Sequence, residues 1–181
     1  MTDGLASAQQ IVSFWRDAGP ECWFKKDPAF DDEIRRRFLA THEAAAAGQL
    51  KDWEISAEGA LALLILLDQF SRNMFRGDPR SFASDPLARA IAAGALIKGY
   101  DSTFPDMRDF FYLPFVHSED IADQERAIAL YQAARSDDFK WAQMHADIIR
   151  RFGRFPHRNA VLGRATTPEE QTFLESGGFA G

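Results

Sequence analysis

A single cysteine, Cys22, stands among 181 residues, so no internal disulfide can form, as expected of a protein kept in the reducing cytoplasm. Long apolar runs are missing as well. Nothing approaches the roughly 20 residues that span a bilayer, and the N-terminal MTDGLASAQQ lacks the basic start and apolar core of a secretion signal. Positive charge is in deficit, with 21 Lys and Arg against 27 Asp and Glu, which argues against a general nucleic-acid binder. Phosphate loops of the G-x-x-x-x-G-K type, G-x-S-x-G nucleophile elbows and H-E-x-x-H metal helices are all absent. These absences leave a soluble protein of one domain, residues 1–181, without a membrane, a nucleic acid, a metal or a cofactor among its expected partners.

The chain is organised around the stretch 61–76, LALLILLDQFSRNMFR. From Ala60 to Leu67 every side chain is apolar, and Leu and Ala outnumber β-branched residues, so the run reads as a buried helix covered on all sides. Asp68, Gln69, Arg72 and Arg76 follow within a sector of roughly 100° at 3.6 residues per turn. A buried helix that ends in a polar cluster is one candidate site.

Around it the sequence predicts an all-α fold of about seven helices joined by short loops, which favours antiparallel hairpins. Residues 6–17 carry Ile11, Phe14 and Trp15 at helical spacing, and Gly19-Pro20 stops them. Asp27 followed by Pro28 starts a helix with Phe30, Ile34 and Phe38 on one stripe and His42 one step further, ending at Gly48. Arg35, Arg36 and Arg37 lie one turn after Asp31, Asp32 and Glu33, a pattern of i to i+4 pairs. Residues 48–55 read as a loop, Ser56 as a cap, and Asp85-Pro86 as a second cap-and-proline start. Pro114 breaks a short helix at 106–111. The stripe Trp141, His145, Ile148, Ile149 and Phe152 points inward from a helix over 137–152. Thr167-Pro168-Glu169-Glu170 is a capping box.

Four blocks, WFKKDP (23–28), DQFSRNMFRG (68–77), FFYLPFVHSED (110–120) and RFGRFPHRN (151–159), occur in the order found in the bacterial family known as domain of unknown function 924. The chain resembles that family over nearly its whole length. The resemblance implies helical hairpins stacked like tetratricopeptide repeats, as a right-handed superhelix or an irregular bundle, although no 34-residue repeat pattern is present. It implies no reaction.

Three polar blocks are therefore the candidate ligand-binding residues: Asp68, Gln69, Arg72 and Asn73; His117 and Glu119; and His145, Arg151, Arg154, His157, Arg158 and Asn159. From His145 to Arg158 four Arg stand against one Asp, a basic island in a chain of net charge -6. Arginine grips carboxylate or phosphate through two parallel hydrogen bonds, so the leading expectation is a helical binding protein with an Arg/His-lined pocket for a small anionic ligand or an acidic peptide segment. The competing structural role is that these arginines pair with the chain's own acids. A hydrolase-type enzyme using His117, Glu119, His145 and His157, with or without a metal, is the alternative. No sequence feature fixes an oligomeric state.

Overall fold

Ser7, Asp27, Ser56, Asp120 and Thr167 each accept a hydrogen bond from a free amide at a helix start, a contribution of about 1 kcal/mol per cap. They do so in a computed structural model that describes residues 4–179. The first three and last two residues, including the start of the stretch read for a secretion signal, lie outside the described residues. Ser7 with Gln10, and Thr167 with Glu170, close full capping boxes.

The helices are α1 (Ala8–Ala18), α2 (Pro20–Trp23), α3 (Pro28–Ala46), α4 (Ala57–Leu64), α5 (Ser71–Met74), α6 (Arg80–Ala83), α7 (Asp85–Ile97), α8 (Leu113–Val116), α9 (Ile121–Ala134), α10 (Phe139–Phe152) and α11 (Pro168–Glu175). Between α4 and α5 the chain continues as a π-helix over Ile65–Phe70, making one rod from Ala57 to Met74. With the rod counted once, seven helices of eight or more residues are present among the described residues, and no strand. No described helix is long and apolar enough to cross a membrane.

The described residues cluster into two compact units. Unit 1 runs to Arg76 and resumes over Arg80–Pro114. In it, α1, α3 and α7 pack round the rod, whose side chains from Gly59 to Ser71 are all buried. That is the burial expected of a run apolar on every face. Phe14, Trp15, Phe30, Phe38 and Phe70 interlock beside it as stacked and edge-on pairs. Unit 2 comprises Gly77–Pro79 and the chain from Phe115 on. There α9 and α10 pair as a hairpin, and Phe152, Phe155 and Phe173 pack with Ile148 and Ile149.

Several local expectations are corrected. Residues 48–55 are not loop throughout, since Lys51–Ile55 wind into a 3-10 helix. Its Trp53 carbonyl lies so close to α4 that a Cβ on Gly59 would meet it at 2.2 Å, which requires glycine there. Asp85 does not cap α7. It is the first helical residue, and its carboxylate turns to Arg72. The expected helix at 106–111 is a 3-10 turn over Arg108–Phe111. Pro114 then sits at the second position of α8, where a missing N–H costs nothing. Of the Arg35–Arg37 run only Arg37 makes the i to i+4 pair, with Glu33, while Arg35 donates to the Met74 carbonyl. Trp141 is 58% exposed. His145, Ile148 and Ile149 of the expected stripe are buried, together with Ala142 and Ala146.

Candidate functional site

In unit 1 the polar end of the rod is built by the π-helix. A π turn departs from the i to i−4 ladder, and side chains bond the carbonyls of this segment. His42 Nδ1 donates to Leu66 O at 2.9 Å, Ser84 Oγ to Leu67 O at 2.6 Å, Ser71 Oγ to Leu67 O at 2.9 Å and Arg72 Nη1 to Asp68 O at 2.6 Å. Burial lowers the His42 pKa, only partly opposed by the Leu66 carbonyl and by Glu43, so its ring is a neutral donor at pH 7.

The four candidates on this segment divide between two clusters. Arg72 makes two parallel hydrogen bonds of 3.0 Å to Asp85 and an ion pair of 3.2 Å to Asp68, while Gln69 donates to the other Asp68 oxygen at 2.6 Å. Asn73 instead joins Arg76 on Asp31 of α3, at 2.7 to 3.0 Å. Asp68, Gln69 and Arg72 of the expected polar sector thus stay together across the π turn, while Arg76, beyond the helix end at Met74, leaves it for Asp31. Burial opposes the Arg72 charge, but Asp68 and Asp85 more than offset it and raise its pKa. Asp31, Asp68 and Asp85 thus face Arg72 and Arg76 in these clusters.

In unit 2 the basic island is met by acids. Arg154 binds both oxygens of Glu170 at 2.6 and 2.8 Å. Glu170 also accepts from Asn159 at 3.2 Å and from the Thr167 amide at 2.7 Å. This clasp fastens α11 to the turn after α10. Arg151 pairs with Glu169 where both are exposed, a contact of about 0–1 kcal/mol. Glu119 takes two bonds from Arg164, at 2.7 and 3.0 Å, and one from the Phe155 amide at 2.8 Å. Burial opposes its ionisation, yet Arg164, the Phe155 amide and Arg158 outweigh that and hold its pKa below the usual value.

The remaining candidates gather round Phe155, which is fully buried. The His145 ring meets it edge-on with centroids 5.6 Å apart, His157 lies at 5.7 Å, and the Arg158 guanidinium stands 4.5 Å over its face. Phe179 packs edge-on against both histidines. His117 is half-buried and close enough to influence His145 electrostatically. His145 Nδ1 donates to the Trp141 carbonyl at 2.7 Å. Among the described residues no three His, Cys, Asp or Glu side chains are arranged to hold a metal ion, so the ligand set of His117, Glu119, His145 and His157 is not assembled.

Acid should therefore loosen unit 2 in two stages. Burial first, aided by the charges of His117 and Arg158 and opposed by the Trp141 carbonyl, lowers the His145 pKa from 6.5 to about 4. Unfolded chains then bind the extra proton between those values, so stability is complete above pH 6.5 and falls as pH drops towards 4, by at most roughly 3 kcal/mol. Glu170, held at about 2 chiefly by Arg154, contributes stability above its ordinary 4.5 that is lost as pH falls through 2. His145→Leu should flatten the urea-midpoint slope between pH 7 and 4.5. An NMR titration placing the His145 imidazole near 6.5 would contradict this account.

Sequence reasoning singled out neither Arg164 nor Phe155, and read Glu170 only as half of a capping box. Arg164 lies in a loop with no periodic signal. Phe155, inside the RFGRFPHRN block, was legible as a hydrophobic residue placed between Arg154 and Pro156.

The sequence matches the family model described as "Bacterial protein of unknown function (DUF924)" over residues 11–178. A solved structure of a protein of unknown function from Agrobacterium tumefaciens is similar, with 52% identity and a TM-score of 0.90 over 93% of this chain and 97% of that one. No curated protein matches. An all-helical fold, four ordered sequence blocks and a model match over nearly the whole length together place the chain in this bacterial family of unknown function, DUF924.

Proposed function

We propose that the protein is a cytoplasmic helical binding protein that takes an anion, either a small ligand or the carboxylates of an acidic peptide segment, at the His/Arg cluster round Phe155 in unit 2. The observation that carries this reading is the gathering of His145, His157 and Arg158 on one buried ring, beside which Glu119 is already paired with Arg164. A guanidinium and imidazole N–H groups on a rigid aromatic base give an anion charge from Arg158 and orientation from its neighbours. The lone Cys22 supports the cytoplasmic assignment. Arg72, Arg151 and Arg154 serve this reading less well, because each is engaged with carboxylates of its own unit.

Binding is favoured over the hydrolase-type alternative by the state of His145. An imidazole with a pKa near 4, fixed by a backbone carbonyl, is a weak base at neutral pH.

Thermal shift against phosphate, sulfate, succinate and a glutamate-rich peptide tests the reading, since a ligand that binds only the folded state stabilises it by about 2.7 kcal/mol at a hundredfold excess over Kd. One of these anions should raise Tm saturably. Arg158→Gln and His157→Gln should each weaken it about tenfold, the loss expected for a charged hydrogen bond, while Arg151→Gln should not. No shift from any anion, or an intact shift in Arg158→Gln, would sink the proposal.

A further inference from the structure

We infer that unit 1 carries a separate site for a free α-amino acid with an apolar side chain, in a groove bounded by Lys51–Ile55, the C-terminal end of α3, α4 and α7. This inference stands independently of the anion site in unit 2.

The groove measures about 320 Å³, at the small end of ligand sites, which run from roughly 300 to 1,000 Å³. Its floor is apolar, formed by Leu50, Leu63 and Ile91, all buried. Leu87 and the exposed Ala90 of α7 form one wall. A ligand that fills it must present an apolar body of a few carbon atoms.

The charged side chains that line the groove are Lys51 and Glu54. They stand three apart on the 3-10 helix Lys51–Ile55, and residues at i and i+3 of such a helix eclipse one another. Both therefore share the face that borders the groove. Among the described residues neither the Lys51 ammonium nor the Glu54 carboxylate makes an ion pair or a side-chain hydrogen bond. Lys98 donates to the Glu54 carbonyl and not to its carboxylate.

This combination selects the occupant by charge. A carboxylate with an apolar tail would satisfy Lys51 but meet Glu54 as a like charge, and an amine with such a tail would do the reverse. Juxtaposed like charges disfavour a wrong partner. A zwitterion carries an ammonium and a carboxylate on one carbon, so both poles are answered at once while the side chain enters the apolar floor. The terminus of a peptide offers only one of the two charges. Because Lys51 is exposed and Glu54 half-exposed, the affinity should lie in the millimolar range.

The test is an amide NMR titration of the full chain with L-leucine, N-acetyl-L-leucine, L-leucinamide and L-aspartate. Leucine should shift the amides of residues 50–55 and 87–94 saturably. N-Acetylleucine, without the ammonium, and leucinamide, without the carboxylate, should each bind about fivefold more weakly, the scale of an exposed ion pair. Aspartate, without an apolar body, should leave these amides unmoved. Lys51→Met and Glu54→Gln should remove the preference for leucine over leucinamide and over N-acetylleucine respectively. Ala90→Trp, a change at an exposed position, should block the groove and abolish the shifts. The inference is overturned if leucine gives no saturable shift here, if the singly charged analogues bind as well as leucine, or if Ala90→Trp binds leucine unchanged.

Discussion

Arg72→Met should destabilise the protein by about 3–5 kcal/mol, the cost of breaking a buried ion pair by removing one partner. The side chains of Asp68 and Asp85 are 2% and 8% exposed. Arg72 is paired with both and also bonds the Asp68 carbonyl. Methionine keeps much of the volume and withdraws the guanidinium from two buried carboxylates. Arg72→Met/Asp85→Leu should recover part of the loss. Urea titrations at pH 7 check both statements, and a loss under about 1 kcal/mol would place the pair among solvated surface contacts.

Phe70→Ala should cost a similar amount, about 3–5 kcal/mol. Phe70 is fully buried at the end of the π-helix. Its ring stacks on Phe38 with centroids 5.0 Å apart and meets Trp15 edge-on at 5.3 Å. The cavity would open where α1, α3 and the rod meet, and none of these can move in without breaking the contacts of the others. Phe24→Ala is the matching control. Phe24 is 70% exposed, and its removal should change stability by no more than about 0.5 kcal/mol. Equal losses at the two positions would mean that the aromatic cluster is not the centre of unit 1.

What was legible in the sequence was mostly local. Asp27 before Pro28, Ser56 before the apolar run and Thr167 three residues before Glu170 each define a helix start within one turn, and each is one. Asp85 shows the limit of the same signature, because its carboxylate found a stronger partner in Arg72, 13 positions away. Pairings of that kind leave no mark on periodicity. Arg154 with Glu170 and Glu119 with Arg164 could be anticipated only as a general tendency of arginines to meet acids. The π-helix was hidden for another reason. Leu, Ile and Ala serve an α and a π turn equally well, so composition does not reveal where the winding changes, and Arg76, past the helix end at Met74, departs from the sector that 3.6 residues per turn gives it.

A π turn is what an α-helix becomes when it accommodates one extra residue without breaking, and this fixes the rod by counting as much as by bonding. Each residue advances an α-helix by about 100°. Taking one residue out of Ile65–Phe70 would let the rod wind as a regular helix and would leave everything after it close to its present phase, whereas taking one out of Ala57–Leu64 would turn everything after it by that angle. Arg72 would then swing away from Asp85, and Asn73 and Arg76 from Asp31, although none of these side chains had been altered. The rod thus bears a change of length at its π turn better than in α4. A single-residue deletion within Ala57–Leu64 should be more damaging than one within Ile65–Phe70, because the first dephases two ion-pair clusters together and the second keeps both in register.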